Sequence, residues 1–328
     1  MEDRPVVKSM GKEVVLSIND IQEQANKKLP KLKREFFNSG STAQQAVHEN
    51  STAFAKYRLR PRVLRNVANV DTGTTVLGSK ISFPLCVSPA GIQAMAHPDG
   101  ELATSRACAK RGINMGVSSF ANYSIEEITK AGFEVRPIKY VMQLYTMKDR
   151  EMQVRIIKRA EAVGCVAIFL TGDSPVLGVW YNEWRNDFRT PDGLGFPMIE
   201  KTSEQIITTT HDDSNHGGRQ LDETPATIDA LPECVKAAEG KIRFHIDGGF
   251  RTGQEILKAL AWGAECCWIG RLAIWGLAYD GQAGVDKALD IIYDEFRQYI
   301  ILCRYKNVSE ISKTCLGVVR ADGPLARL

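Results

Sequence analysis

A chain of 328 residues, 44% hydrophobic and 25% charged with a formal charge of +3, can bury a large core and is too weakly basic to argue for a nucleic-acid partner. No window reaches 18 apolar residues and the N-terminus Met1-Glu2-Asp3-Arg4-Pro5 is acidic and polar, which speaks against a membrane span and a secretory leader. The eight cysteines (86, 108, 165, 234, 266, 267, 303 and 315) contain no C-x-x-C pair, so a zinc site and a disulfide framework are both disfavoured.

Two short helices, Asn19 to Lys28 and Leu32 to Asn38, are predicted first. The local basic run Arg58, Arg60, Arg62 and Arg65 then reads as solvated surface. From about residue 82, short β-branched apolar runs alternate with helical patterns, the signature of repeated βα units and a parallel sheet. The predicted strands are Pro84 to Pro89, Asn114 to Ser119, Tyr140 to Tyr145, Val166 to Asp173, Arg243 to Gly249 and Cys266 to Arg271. The helices between them are Glu101 to Arg111, Ser124 to Ala131, Arg150 to Ala162, Thr227 to Ala238 and Gly253 to Trp262, and a long amphipathic helix from Gln282 to Leu302 closes the series.

Polar residues gather at the C-terminal ends of these strands: Ser88, Ser118, Gln143 with Tyr145, Thr171 with Asp173, Asp247 and Arg271. In a TIM (β/α)8 barrel those ends carry the active site. The fold class expected is therefore α/β, a TIM-type barrel, with one defect: six strands are visible where eight are needed. The interval Asp173 to Ser214 has room for one βα unit of roughly 30 residues, not two, and its one strand-like run is Gln205 to Thr210. The barrel is expected to be incomplete between its fourth and seventh strands. One domain is expected over residues 1–328, with a helical lead-in at 1–80, the barrel at 81–280, and a C-terminal helix and tail at 281–328.

The decapeptide Asp213 to Asp222, D-S-N-H-G-G-R-Q-L-D, sets a histidine and an arginine three residues apart among glycines. His216 can be neutral near pH 7 and accept a proton, Arg219 can grip a carboxylate with two parallel hydrogen bonds, and Gly217 and Gly218 let the backbone approach a ligand. Taken alone, the decapeptide is equally a surface turn with a solvated His and Arg.

The series L-P-K-L-K-R-E-F-F-N-S-G (Leu29 to Gly40), S-P-A-G-I-Q-A-M-A-H-P-D-G-E, Q-L-Y, L-T-G-D-S-P, S-N-H-G-G-R-Q-L-D, D-G-G-F-R-T-G and W-I-G-R, in this order, resembles the FMN-dependent L-2-hydroxy-acid oxidases and dehydrogenases over nearly the whole chain. The resemblance implies FMN at the strand ends, with Pro89, Ala90 and Gly91 along the isoalloxazine and Ser118, Gln143 and Thr171 at its polar edge. Asp247, Gly249, Arg251, Gly270 and Arg271 would hold ribityl and phosphate. It further implies His216 as base, Asp173 as the group stabilising the imidazolium, Arg219 on the substrate carboxylate and Tyr145 on the substrate oxygen. The expected partner is a small-molecule substrate, with neither nucleic acid nor membrane, in a homo-oligomer. The C-terminal Ala326-Arg327-Leu328 fits a peroxisomal address.

Three departures bear on activity. Phe36 stands where the family carries a carboxylate-binding tyrosine, and Trp180 where it carries a mobile arginine, which favours an aromatic or apolar substrate. The third is the missing segment, placed between Phe188 and Ser214, which removes the strand whose lysine faces the flavin. Lys201 is read as a surface lysine and not as its replacement. A flavin-free, inactive chain is the competing expectation, and an oxidase of a heterocyclic intermediate in fungal secondary metabolism is the alternative within the family.

Overall fold

A computed structural model describes residues 14–199, 215–320 and 323–327. Lys201, the run Gln205 to Thr210 and Leu328 lie outside the described residues. The lead-in comprises α1 (Ile18–Lys28), α2 (Lys31–Asn38) and α3 (Gln45–Thr52). α1 starts where it does because Ser17 and Asp20 form a capping box, each side chain accepting the other's backbone N–H. Pro30, which cannot continue a helix as a hydrogen-bond donor, separates α1 from α2.

β1 (Tyr57–Leu59) comes next, then the hairpin β2 (Thr74–Val76) and β3 (Ser79–Ile81). Its two-residue turn, Leu77 and Gly78, has φ of 51° and 74°, the left-handed pair that matches strand twist. Val76 and Ile81 of the hairpin pack with Cys86, Val141, Cys266 and Trp268 inside the barrel. The βα series then runs β4 (Leu85–Val87), α4 (Gly100–Arg111), β5 (Met115–Val117), α5 (Ile125–Phe133), β6 (Tyr140–Tyr145), α6 (Arg150–Ala162), β7 (Ala167–Thr171) and the short α7 (Tyr181–Arg185). It resumes with α8 (Thr227–Ala238), β8 (Phe244–Asp247), α9 (Gly253–Trp262), β9 (Ala264–Ile269) and α10 (Arg271–Leu302). β10 (Leu316–Arg320) and β11 (Gly323–Arg327) end the chain, and β1 pairs antiparallel with β10.

The six parallel strands form one curled sheet in the order β7-β6-β5-β4-β9-β8, a TIM barrel open between its first-laid and last-laid halves. Neither β7 nor β8 has a strand on its outer side among the described residues. The gap falls where the strand count placed it. The helix expected from Gln282 to Leu302 is present as the second part of α10, set off by Asp280 and Gly281, whose φ/ψ are non-helical; the sequence reading missed the helix before that break, which begins at Arg271. The earlier half, Leu272 to Ala278, is buried on every side, so it lacks the polar face from which a helical period is read.

The gap leaves apolar surface in water. Phe169 points into the barrel, so by strand alternation Ile168 and Leu170 point outward, and they are 39% and 54% exposed. An uncovered, apolar edge strand is a template for association with another chain. Leu170→Lys is expected to reduce concentration-dependent light scattering while shifting Tm little, since surface substitutions usually lie within about 0.5 kcal/mol. Unchanged scattering would show that this edge is not what associates.

Candidate active site

At the C-terminal ends of the strands lies a cleft of about 1400 Å³ that continues down the open side of the barrel. Every residue that the resemblance assigns to cofactor or substrate lines it except Asp173, which meets it through His216; Gly217 lines it too and Gly218 does not.

His216 Nδ1 sits 3.2 Å from both carboxylate oxygens of Asp173. An ionised carboxylate only accepts, so Nδ1 carries the proton and Nε2 is the basic nitrogen of the neutral ring. Asp173 is part-exposed rather than buried, with 23% of its side chain accessible. The loop holding the histidine is strained: His216, Gly217 and Gly218 have φ of 52°, 60° and 82°. Gly218 cannot be replaced without moving backbone, because a Cβ there would lie 2.5 Å from Val47 N. Asn215 and Asn50 exchange amide hydrogen bonds of 3.0 and 2.8 Å beneath this loop. Asp222 anchors its far end by accepting from Ala46 N and the Thr42 hydroxyl, both at 2.8 Å. Burial alone would raise the Asp222 carboxyl, but these donors outweigh it and hold the group below the ordinary value.

A second cluster forms a polar edge. Gln143 Nε2 donates to Thr171 Oγ1 at 2.9 Å, Ser119 N donates to Gln143 Oε1 at 3.0 Å, and Ser118 Oγ accepts from Phe120 N at 3.1 Å. The Ser88 hydroxyl is buried with no hydrogen-bond partner among the described residues, as expected of a group that meets a ligand. Pro89, Ala90 and Gly91 form the adjoining wall.

Glu101, 1% exposed, stitches that wall to its neighbour by accepting from Gln93 N at 3.1 Å and Asn122 N at 3.2 Å. Burial raises its carboxyl from 4.5 to about 7 against the pull of its backbone donors. The folded state thus keeps a proton that the unfolded chain releases, so the contribution of Glu101 to stability falls as pH rises from about 4.5 to 7 and is constant outside that window. Glu101→Gln removes this group's share of the titration, and is expected to lessen the fall in urea-unfolding stability between those limits by on the order of 3 kcal/mol, a remaining slope being left to Glu183, which is raised to about 7 as well. A slope undiminished in the variant would assign it to other groups.

The third cluster is cationic. Arg271 donates to the Gly217 carbonyl, and Arg251 Nη1 donates to Asn19 Oδ1 at 2.7 Å and Gln22 Oε1 at 2.6 Å while lying 4.9 Å over the Trp275 ring. These partners are neutral. Burial lowers Arg271 to about 10, with Arg219 and Arg251 repelling it and Asp247 partly offsetting them. Two half-buried guanidiniums hydrogen-bonded to neutral groups suit a phosphate dianion. Gly270 leaves open space beside them, with no atom within 4 Å of where a Cβ would stand. The residues present fit FMN at its polar edge and at its phosphate end.

Arg219 is enclosed. Its Nη1 donates to Phe36 O at 2.6 Å and Ser39 O at 2.9 Å, its Nη2 lies 3.2 Å from Glu183 Oε1, and Phe36 and Trp180 sandwich it at 5.1 and 4.6 Å. Trp180 Nε1 donates to the Arg219 carbonyl, and Phe188 stacks behind Phe36 at 4.4 Å. Burial raises Glu183 to about 7, opposed by Arg219, and lowers Arg219, opposed by Glu183. Sequence reading missed Glu183. It stands three residues after Trp180 on α7, within one helical turn, which is the one local signal that could have placed it here.

Residues 25–211 and 214–318 match the FMN-dependent dehydrogenase family, in two pieces that break just before Ser214. An oxidase named FUB9 from Fusarium oxysporum f. sp. lycopersici is 36% identical over 366 aligned positions, covering 96% of this chain and 94% of that protein. Human 2-hydroxyacid oxidase 1 is 38% identical, covering 92% and 96%, and spinach (Spinacia oleracea) glycolate oxidase 36%, covering 95% and 98%. The first alignment is longer than the 328 residues of this chain, so that relative carries residues that this one lacks. Among solved structures, a point mutant of mandelate oxidase with (S)-mandelic acid superposes with a TM-score of 0.85 at 28% identity, covering 94% of this chain and all of that one. A soluble mutant of the membrane-associated (S)-mandelate dehydrogenase from Pseudomonas putida gives 0.86 at 26%, covering 92% and 99%. With its open barrel, strand-end cleft and in-order motifs, the chain belongs to the FMN-dependent dehydrogenase family.

Proposed function

We propose that this protein is an FMN-dependent oxidoreductase acting on the CH–OH group of a 2-hydroxy acid larger than glycolate, with oxygen as the acceptor. The observation that carries the reading is the His216–Asp173 pair set beside the polar edge of Gln143 and Thr171 in one cleft. Bound FMN supplies an acceptor for the electron pair of the substrate C–H bond. His216 Nε2 takes the proton released in that oxidation, and Asp173 stabilises the resulting imidazolium across 3.2 Å. Tyr145, 7% exposed and edge-on to Phe120, hydrogen-bonds the substrate oxygen. Pro89, Ala90 and Gly91 would flank the cofactor ring, Ser118 would meet its edge, and Asp247 and Gly249 would hold its ribityl chain. Residues 1–328 act as one domain.

Selectivity lies at Arg219. Losing the hydroxyl that a tyrosine would offer at Phe36 costs on the order of 1.5 to 3 kcal/mol of carboxylate binding, and Phe36 and Trp180 offer ring stacking instead. A second reading, consistent with this aromatic enclosure and with a Fusarium oxidase among the relatives though not better supported than the first, is a heterocyclic substrate in fungal secondary metabolism, oxidised at C–N. A homo-oligomer and a peroxisomal address complete the proposal. The backbones of Ala326 and Arg327 pair with Val318 and Gly317, so a receptor reading the tail requires that pairing to open. Among the described residues no helix is long and apolar enough to cross a membrane.

The test is an absorption spectrum of the purified protein, titrated without oxygen against a panel of 2-hydroxy acids and cyclic amines. Bound FMN that bleaches with mandelate-sized acids, and slowly with glycolate, is the expected result. Bleaching by cyclic amines alone would favour the second reading, and a colourless chain that cannot be reconstituted would mark an inactive one.

A further inference from the structure

Below the cofactor residues, the open side of the barrel is crossed by side chains where no strand pairing exists among the described residues. Phe169 of β7 meets Trp268 of β9 edge-on, with ring centroids 5.0 Å apart and planes at 66°. It also meets His245 of β8 at 6.5 Å, and His245 stacks on Trp268 at 5.8 Å and 28°. The trio is fixed by hydrogen bonds. Trp268 Nε1, which only donates, lies 3.0 Å from His245 Nδ1, so Nδ1 accepts and the ring carries its proton on Nε2, 3.0 Å from Glu265 Oε2. Arg243 pairs with the other oxygen of Glu265.

Side chains two apart on a strand share a face. Phe169 therefore stands directly beneath Thr171 and His245 beneath Asp247, two positions that the resemblance places against FMN, and Trp268 lies on β9 two residues before Gly270, a third such position just past the strand end. Across the strands Phe169 is also in register with Gln143, and Trp268 with Asp247. Thr171 and Gln143 belong to one side of the gap, Asp247 and Gly270 to the other, and no backbone hydrogen bond joins β7 to β8 among the described residues.

We infer that Phe169, His245 and Trp268 form an aromatic bridge that spans the open barrel and sets the separation of the two halves of the FMN site. They are positioning residues and do not enter the reaction. The inference rests on the FMN reading above, but its mechanical part is measurable without the cofactor.

The experiment measures FMN affinity of apo-protein by flavin fluorescence for Phe169→Leu, Trp268→Ala and Trp268→Phe, at temperatures where circular dichroism shows each folded. Trp262→Ala is the control: this tryptophan is buried on α9 against Tyr57, outside the cleft. Trp268→Ala is expected to weaken FMN binding at least about tenfold, Phe169→Leu several-fold, and Trp268→Phe to restore most of the loss. Trp262→Ala should lower Tm and leave affinity alone. Hydrogen exchange of the apo-protein is read in parallel, and Phe169→Leu is expected to speed exchange in residues 167–171 and 244–247 together. Unchanged FMN affinity in folded Phe169→Leu overturns the inference, as does exchange that rises on one side of the gap alone. A wild-type chain that takes up no FMN overturns the cofactor reading. The paired exchange change then still supports the bridge, and its absence sinks it.

Discussion

His216→Ala is expected to remain yellow and folded while reduction of its FMN by substrate slows by about 10² to 10⁴-fold, the usual worth of a positioned general base. The residue is part-exposed at the mouth of the cleft, so truncation leaves little cavity. The loop is tied down by Asn215 and Asp222 on either side, and a left-handed φ of 52° at this position is no easier for alanine, so stability should change modestly. Stopped-flow reduction at several pH values reads the effect. The wild-type rate should rise with pH as His216 loses its proton and becomes able to accept one, and that limb should vanish in the variant. Asp173→Asn keeps a hydrogen-bond partner at 3.2 Å but loses the charge, so it should slow reduction less than removal of the ring. A His216→Ala protein that reduces its flavin at the wild-type rate would remove His216 from the chemistry.

The second large effect is expected at Arg271. Its guanidinium is half-buried at the cleft, pushed down to about 10 by desolvation and its neighbouring arginines, and bonded to a carbonyl rather than a carboxylate. Such a charge costs stability in the apo-protein and recovers it when an anion arrives. Arg271→Met is therefore expected to hold or raise the Tm of the apo-protein while weakening FMN binding by about 2 to 5 kcal/mol, roughly 30 to 5,000-fold. Riboflavin, which lacks the phosphate, should bind the variant and the wild type alike. If FMN and riboflavin lose affinity equally, Arg271 supports the site generally and does not meet the phosphate.

The long, strongly periodic segments are legible in the sequence. The helices Arg150–Ala162, Thr227–Ala238 and Gly253–Trp262 have the bounds read from their apolar spacing. The strand-end polar residues converge because alternation on parallel strands leaves them no other end to occupy. Other parts are not legible. The pairing of Tyr57–Leu59 with Leu316–Arg320 joins the two ends of the chain, and neither segment has a pattern that names the other. The hairpin at Leu77-Gly78 carries a leucine where turn chemistry calls for Asn, Asp or Gly, so its signal is weak.

By itself the sequence determined the βα order, the break in the barrel and the identity of the residues at the strand ends, because periodicity, turn chemistry and motif order are local properties of the chain. Tertiary structure alone decided that Glu183 faces Arg219 within a cage of Phe36 and Trp180, and that Phe169 reaches across the gap to Trp268. Those contacts join residues far apart in the chain, and their geometry follows from how packed elements share space rather than from any spacing along it.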